Sequence, residues 1–192
     1  TKEKKGTLYM QVEGDKFVEK PIACAGLKED MGVVFVDLDN DGDLDLLAVD
    51  GGSIEEMALQ NYEDMAYYND GEGNFTCATL FKRKSRGSGV ELADFDKDGD
   101  LDVFIGGRVI NGFYPKSPKS YVLRNDPNGF TDVTLDVLPK QELGMVSDAL
   151  WTDFDNDGWF DLIVVGEFMD ITFLKNNKGK FQDVTNTRGY NN

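Results

Sequence analysis

One acidic loop is written three times in this 192-residue chain: Asp37-Leu-Asp-Asn-Asp-Gly-Asp-Leu-Asp45, Asp94-Phe-Asp-Lys-Asp-Gly-Asp-Leu-Asp102 and Asp153-Phe-Asp-Asn-Asp-Gly-Trp-Phe-Asp161. Each copy has Asp at positions 1, 3, 5 and 9 and Gly at position 6, and the copies begin 57 and 59 residues apart (94 − 37 and 153 − 94). A lone copy reads as a solvated turn. Three copies in register describe a repeat protein whose unit is built around a hard cation.

Calcium takes six to eight oxygens from a short loop when alternate side chains turn inward. Asp37, Asp39 and Asp41, Asp94, Asp96 and Asp98, and Asp153, Asp155 and Asp157 stand at those alternate positions. Gly42, Gly99 and Gly158 permit the bend that brings the next carbonyl round. That carbonyl belongs to Asp43, Asp100 and Trp159, so the side chain there is free to vary, and Asp45, Asp102 and Asp161 close the shell. The apolar residues at position 2 (Leu38, Phe95, Phe154) and position 8 (Leu44, Leu101, Phe160) point away from the ion and are expected in the core. With no His and only two Cys, an all-oxygen site excludes zinc and copper. Magnesium wants a tighter octahedron with several waters, so three Ca2+ sites are expected. Without the cation the crowded carboxylates repel, by about 1 kcal/mol per pair at roughly 4 Å even in a water-like dielectric, and metal-free loops are expected to be loose.

An EF-hand would need Glu at position 12 between helices; here that position is Ala48, Ile105 and Val164. The flanking runs, residues 32–36 and 46–49, 90–93 and 103–105, 149–151 and 162–165, are short, β-branched and aromatic, which predicts a strand-loop-strand hairpin. Four segments (residues 8–17, 66–75, 122–130 and 172–181) read as a second hairpin, an apolar strand and a Gly/Asn/Asp turn followed by a strand opening on Phe. Two continue as strand through Thr131-Asp-Val-Thr134 and Gln182-Asp-Val-Thr185. Two hairpins per unit give four-stranded antiparallel units in tandem, which is an all-β architecture of β-propeller blades. The expected organisation is a preceding hairpin and linker (residues 1–30), then blades at 31–86, 87–140 and 141–192.

The stretches Val36-Asp-Leu-Asp-Asn-Asp-Gly-Asp-Leu-Asp-Leu-Leu47 and Asp153-Phe-Asp-Asn-Asp-Gly-Trp-Phe-Asp-Leu-Ile163 resemble FG-GAP, or VCBS-type, repeats, the calcium-loop blades of integrin α-subunits and of many secreted bacterial propellers. Phe104-Ile-Gly-Gly-Arg108 and residues 150–159 further resemble the bacterial propellers related to cartilage acidic protein. The resemblance implies the fold, calcium and display outside the cytoplasm. It leaves the role open among adhesion, glycan binding and catalysis. Propellers close with about four to eight blades, so about three and a half blades predict part of a larger ring. A segment of a longer protein is the preferred reading, and completion by another chain the alternative.

The net charge of −16 comes from 36 acids and 20 bases, and the loops supply 14 of the acids, five, five and four in chain order. Three calcium ions would bring it to −10 (−16 + 6). This excludes nucleic acid and anionic membrane as expected partners. No apolar run spans a membrane, so no membrane insertion is expected; the amino terminus lacks the apolar stretch of a signal peptide, which for a mature or truncated chain leaves secretion open, and an extracellular, cell-surface or periplasmic location follows from the resemblance. Cys24 and Cys77 occupy unequal repeat positions; a disulfide and free buried thiols are both open, the thiols preferred. Asn74-Phe-Thr76 matches a glycosylation sequon, with a simple turn role for Asn74 preferred.

The candidate partner surface is the excursion at residues 106–121, where Arg108, Phe113, Tyr114 and Tyr121 gather aromatics and cations in an acidic chain. Packing of that loop across its own blade is an equal reading. Trp159 is a further exposed candidate, whereas Trp151, aligned with Phe35 and Leu92, belongs to the core. Residues 82–86 read as a solvated basic link. Glu91 puts a charge where Val34 and Leu150 are apolar. Six residues past the last loop ligand stand Gly51, Arg108 and Glu167; Arg108 and Glu167 either pair between blades or point separately into solvent, the latter preferred. With no His, no nucleophile motif and the paired Asp committed to metal, a non-catalytic module is expected, for adhesion, for binding a protein or glycan ligand, or for assembly with further blades. The alternative is a calcium-dependent polysaccharide-active enzyme.

Overall fold

The computed structural model describes residues 6–26, 29–51 and 62–187. The lysine-rich start, residues 52–61 of the first expected blade and the last five residues lie outside the described residues. A two-stranded hairpin, β1 (Thr7–Gln11) and β2 (Phe17–Pro21), precedes three four-stranded antiparallel sheets. The first holds β3 (Asp30–Val36), β4 (Asp45–Asp50), β5 (Tyr62–Asn69) and β6 (Phe75–Arg83). The second holds β7 (Arg86–Ala93), β8 (Asp102–Val109), β9 (Tyr121–Asp126) and β10 (Gly129–Asp132). The third holds β11 (Met145–Thr152), β12 (Asp161–Glu167), β13 (Thr172–Asn176) and β14 (Phe181–Asp183). Strands follow chain order within every sheet, β3 packs on β7 and β7 on β11, and the stack is unclosed. The fold is all-β and has the form of successive propeller blades.

Register decides which side of each sheet meets which neighbour, because successive residues in a strand face opposite ways. One face carries the cross-strand rows Val34–Leu47–Ala66, Glu91–Phe104–Val122 and Leu150–Ile163–Phe173. The other carries Phe35–Leu46–Tyr67, Leu92–Val103–Leu123 and Trp151–Leu162–Leu174. Leu47 and Ala66 pack with Val103 and Leu123 between the first two sheets, and Phe104 and Val122 pack with Leu162 and Leu174 between the second and third. Trp151 is buried there, with ring centroids 6.4 Å from Phe95 and 5.6 Å from Phe181. Its counterpart Phe35 is 50% exposed because it faces the outside of the stack, where only the outer strands are covered, by Ile22 and Ala25.

Several expectations are corrected. Leu44, Leu101 and Phe160 are exposed. The buried residue is the neighbouring Asp at position 9, and strand alternation turns position 8 outward. The runs ending in Thr134 and Thr185 leave the sheet early, passing into helix α1 (Thr134–Val137) and a 3-10 turn at Thr185–Thr187. Asp132 Oδ1 accepts the Thr134 N–H at 3.0 Å and Asp183 Oδ1 that of Thr185 at 3.1 Å, bending both chains; each Thr hydroxyl then takes a strand N–H, Val122 at 2.9 Å and Phe173 at 3.0 Å. Cys24 and Cys77 form a disulfide with Cα atoms 5.9 Å apart, overturning the free-thiol preference. Their unequal repeat positions fit a bond that joins the preceding hairpin's linker to β6. Glu91 is half-buried on the face toward the third sheet, where burial and then Asp148 raise its pKa.

Candidate metal centres

Each acidic loop links the first two strands of its sheet and is shaped by its own carboxylates. The first Asp accepts two backbone N–H groups: Asp37 from Asp41 and Gly42 (3.2 and 3.0 Å), Asp94 from Asp98 and Gly99 (3.1 and 3.2 Å), Asp153 from Asp157 and Gly158 (3.1 and 2.8 Å). Position 5 accepts the N–H of position 7, at 2.9 to 3.0 Å in all three loops. Gly42, Gly99 and Gly158 have φ of 94°, 103° and 86°, the left-handed region that the bend requires. These internal hydrogen bonds set the path of each loop.

Asp45, Asp102 and Asp161 are fully buried and occupy one repeated setting. One oxygen accepts the N–H of position 2 (Leu38 2.8 Å, Phe95 3.2 Å, Phe154 3.1 Å). The other accepts an N–H from the second hairpin, at Asn69 (2.8 Å), Asn125 (2.9 Å) and Asn176 (2.8 Å). Asn69 and Asn176 return their side-chain amides to Leu44 O and Phe160 O at 3.1 and 2.9 Å. The three asparagines were visible in the sequence as an aligned column, but their service to the metal loops depends on strand pairing.

Carboxylate oxygens converge in three groups, each within 4.8 Å: Asp37, Asp39 and Asp41; Asp94, Asp96 and Asp102; Asp153, Asp155 and Asp161. Such a hard oxygen set could hold a divalent cation. In the second loop Asp96 Oδ1 is buried with no hydrogen-bond partner, as a ligand atom awaiting a cation would be. Burial pushes Asp102 up to about 7 against the N–H groups of Asn125 and Phe95, and burial with neighbouring carboxylates raises Asp39, Asp96 and Asp161. A bound cation would remove that penalty. The third loop differs: Lys175 Nζ donates to Asp155 and, at 2.9 Å, to Asp157, holding Asp157 below the usual carboxylate range. Lys175 is the third group's own cation, and its repeat counterparts are Tyr68 and Arg124.

The side chains at position 7 leave the groups and touch their neighbours. Asp100 Oδ1 accepts the Asn40 amide at 3.0 Å from the preceding loop, and Lys97 sits 4.5 Å above the Trp159 ring. In both seams position 4 of one loop meets position 7 of the next, with Asn40 and Lys97 at φ of 60° and 65°. Asp43 lies against Gly71 of the β5–β6 turn. Trp159 is thus half-buried and engaged, not the exposed aromatic that was expected.

Among the other partner candidates, Arg108 Nη2 meets Glu167 Oε1 at 2.5 Å, so the pairing reading holds over separate solvation. Phe113 and Tyr114 are exposed, and Tyr114 meets Phe168 of the third sheet edge-on at 5.7 Å, so the loop reaches the next blade. Tyr121 is half-buried, edge-on to Phe81 at 4.9 Å. Residues 82–86 are not a simple solvated link: Arg83 is buried, bonding Asp64 through Nε (2.8 Å) and Nη2 (2.6 Å). Asn74 serves its turn, donating its amide to Asp70 at 2.8 Å and its N–H at 3.0 Å.

No curated protein matches the chain. The segment from residue 52 to residue 105, which runs through the second acidic loop into β8, matches the family model for the FG-GAP-like repeat. With three sheets repeating that unit's loop and register, the chain carries an FG-GAP-like repeat at residues 52–105.

Proposed function

We propose that the chain is a calcium-stabilised, non-catalytic binding or assembly module that works outside the cytoplasm. The observation that carries the reading is the threefold recurrence of a buried position-9 carboxylate, held by two backbone N–H groups beside further Asp oxygens. Asp37, Asp39, Asp41 and Asp45, with their counterparts in the other loops, would hold the ions. Calcium supplies charge neutralisation there. The chain's own residues do the rest: loops linked through Asn40–Asp100 and Lys97–Trp159 pass local rigidity from blade to blade.

A non-catalytic role is supported by where most of the burial-raised acids lie, Glu91 on the face toward the third sheet being an exception. Asp102, Asp161, Asp39 and Asp96 belong to the metal groups, and Asp64 is locked to Arg83. The Cys24–Cys77 disulfide supports an oxidising compartment. Among the described residues no helix is long and apolar enough to cross a membrane. Calorimetric calcium titration of chelator-treated protein, with melting curves, tests the proposal, which expects binding and a rise in Tm; no heat and no shift would end it.

A further inference from the structure

At the rim opposite the acidic loops, the residue 82–86 link and the residue 106–121 excursion close on one groove of about 560 Å³. That is the size of a small-ligand site. Lys84, Lys116 and Lys119 line it, in a chain of net charge −16. Lys82, also at the groove, is already paired with Glu63 at 2.7 Å. Among the described residues Lys84 and Lys119 have no ion pair, and both are exposed. Exposed cations gathered at one groove without an ion pair are free to attract an anion.

A second observation is independent of charge. Ser85 lines the groove and is 5% exposed, and its hydroxyl has no hydrogen-bond partner. A buried hydroxyl without a partner carries a desolvation cost, which a ligand oxygen would recover. The Ser85 backbone is fixed from below, since Arg83 donates to its carbonyl while bonded to Asp64. Tyr121 and Phe81 supply an aromatic wall, and burial followed by Asp132 raises the Tyr121 pKa, so its hydroxyl stays protonated.

We infer that this groove is a binding site for a carboxylate-bearing saccharide, with the acid on Lys84 and Lys119, a ring oxygen or hydroxyl on Ser85, and a sugar face against Tyr121. Asp132 and Glu142 also line the groove. These acceptors suit a ligand that brings hydroxyl donors between its acids, and they repel a uniformly acidic peptide. The inference deepens the binding-module reading and rests on it.

The test is a titration of the calcium-loaded full chain with uronate oligosaccharides (hyaluronan, unsulfated chondroitin, glucuronoxylan), with neutral chito-oligosaccharide and oligoglutamate as controls. At least one uronate series is expected to bind, weakening as salt rises. Lys84→Ala/Lys119→Ala should lose at least tenfold, Lys84→Arg/Lys119→Arg should retain most binding, and Ser85→Ala should weaken it while the Tm of the free protein holds or rises. No uronate binding, undiminished binding by the double alanine variant, or tighter binding of oligoglutamate overturns the site. Calcium titration of the same samples separates the two claims: intact calcium binding without saccharide binding removes the groove alone, and absent calcium binding removes the module reading.

Discussion

Arg108 at the end of β8 and Glu167 at the end of β12 join their charged groups at 2.5 Å, one repeat apart and at equivalent strand positions. Both side chains remain partly exposed, so solvent screens the pair. A double-mutant cycle with Arg108→Ala and Glu167→Ala should give a coupling of about 0–1 kcal/mol that falls with added salt. Coupling well above that range would mean the pair is desolvated in solution. Its value is in register: it marks where the second and third sheets align.

Lys175 places an ammonium on the third loop, where it would compete with a bound cation. Lys175→Met should tighten calcium binding at that site alone, and should destabilise the metal-free protein by leaving Asp155 and Asp157 without their cation. Isothermal titration on both forms checks this. Unchanged affinity for every equivalent would show that the ammonium leaves the loop freely.

Asp102 sets a pH signature for the metal-free protein. Burial raises its folded pKa to about 7, above the unfolded value of about 3.9. The native state therefore binds more protons than the unfolded state between those values, and stability falls as pH rises through the window. Chelated protein should melt higher at pH 5 than at pH 8, while saturating calcium should reverse the order, because calcium needs the carboxylate. Asp102→Asn should flatten the chelated profile; a chelated protein that gains stability toward pH 8 would contradict the assignment.

The Cys24–Cys77 bond closes a loop of sequence separation 53 and ties the first hairpin to β6. Replacing both with Ala should cost about 2–4 kcal/mol, read as a lowered denaturation midpoint without change in calcium stoichiometry. No loss of stability would mean the hairpin is held by Ile22 and Ala25 packing alone.

The blades and the acidic loops were legible because both depend on local spacing: alternate Asp, a Gly at the bend and β-branched flanks. What stayed hidden depends on which elements meet. The columns Phe35, Leu92 and Trp151 are alike in sequence, yet Phe35 is exposed because its face has no inner-strand neighbour. Trp159 looked free to vary because its backbone was assigned to the ion, whereas its ring meets Lys97 from the previous loop. Lys175 lies 20 residues from Asp155 and joins it only through the pairing of β12 with β13. The basic link and the long excursion were each noticed alone; only the seam between two sheets makes them one groove.

Calcium stoichiometry on chelator-treated protein tests the central claim most directly, by titration calorimetry with Asp94→Ala and Asp100→Ala as paired controls. The account predicts two tight equivalents and one weaker, a raised Tm, loss of one equivalent in Asp94→Ala, and full stoichiometry in Asp100→Ala, which gives up only the Asn40 contact. Fewer than two equivalents with no thermal shift, or equal losses in the two variants, would contradict it.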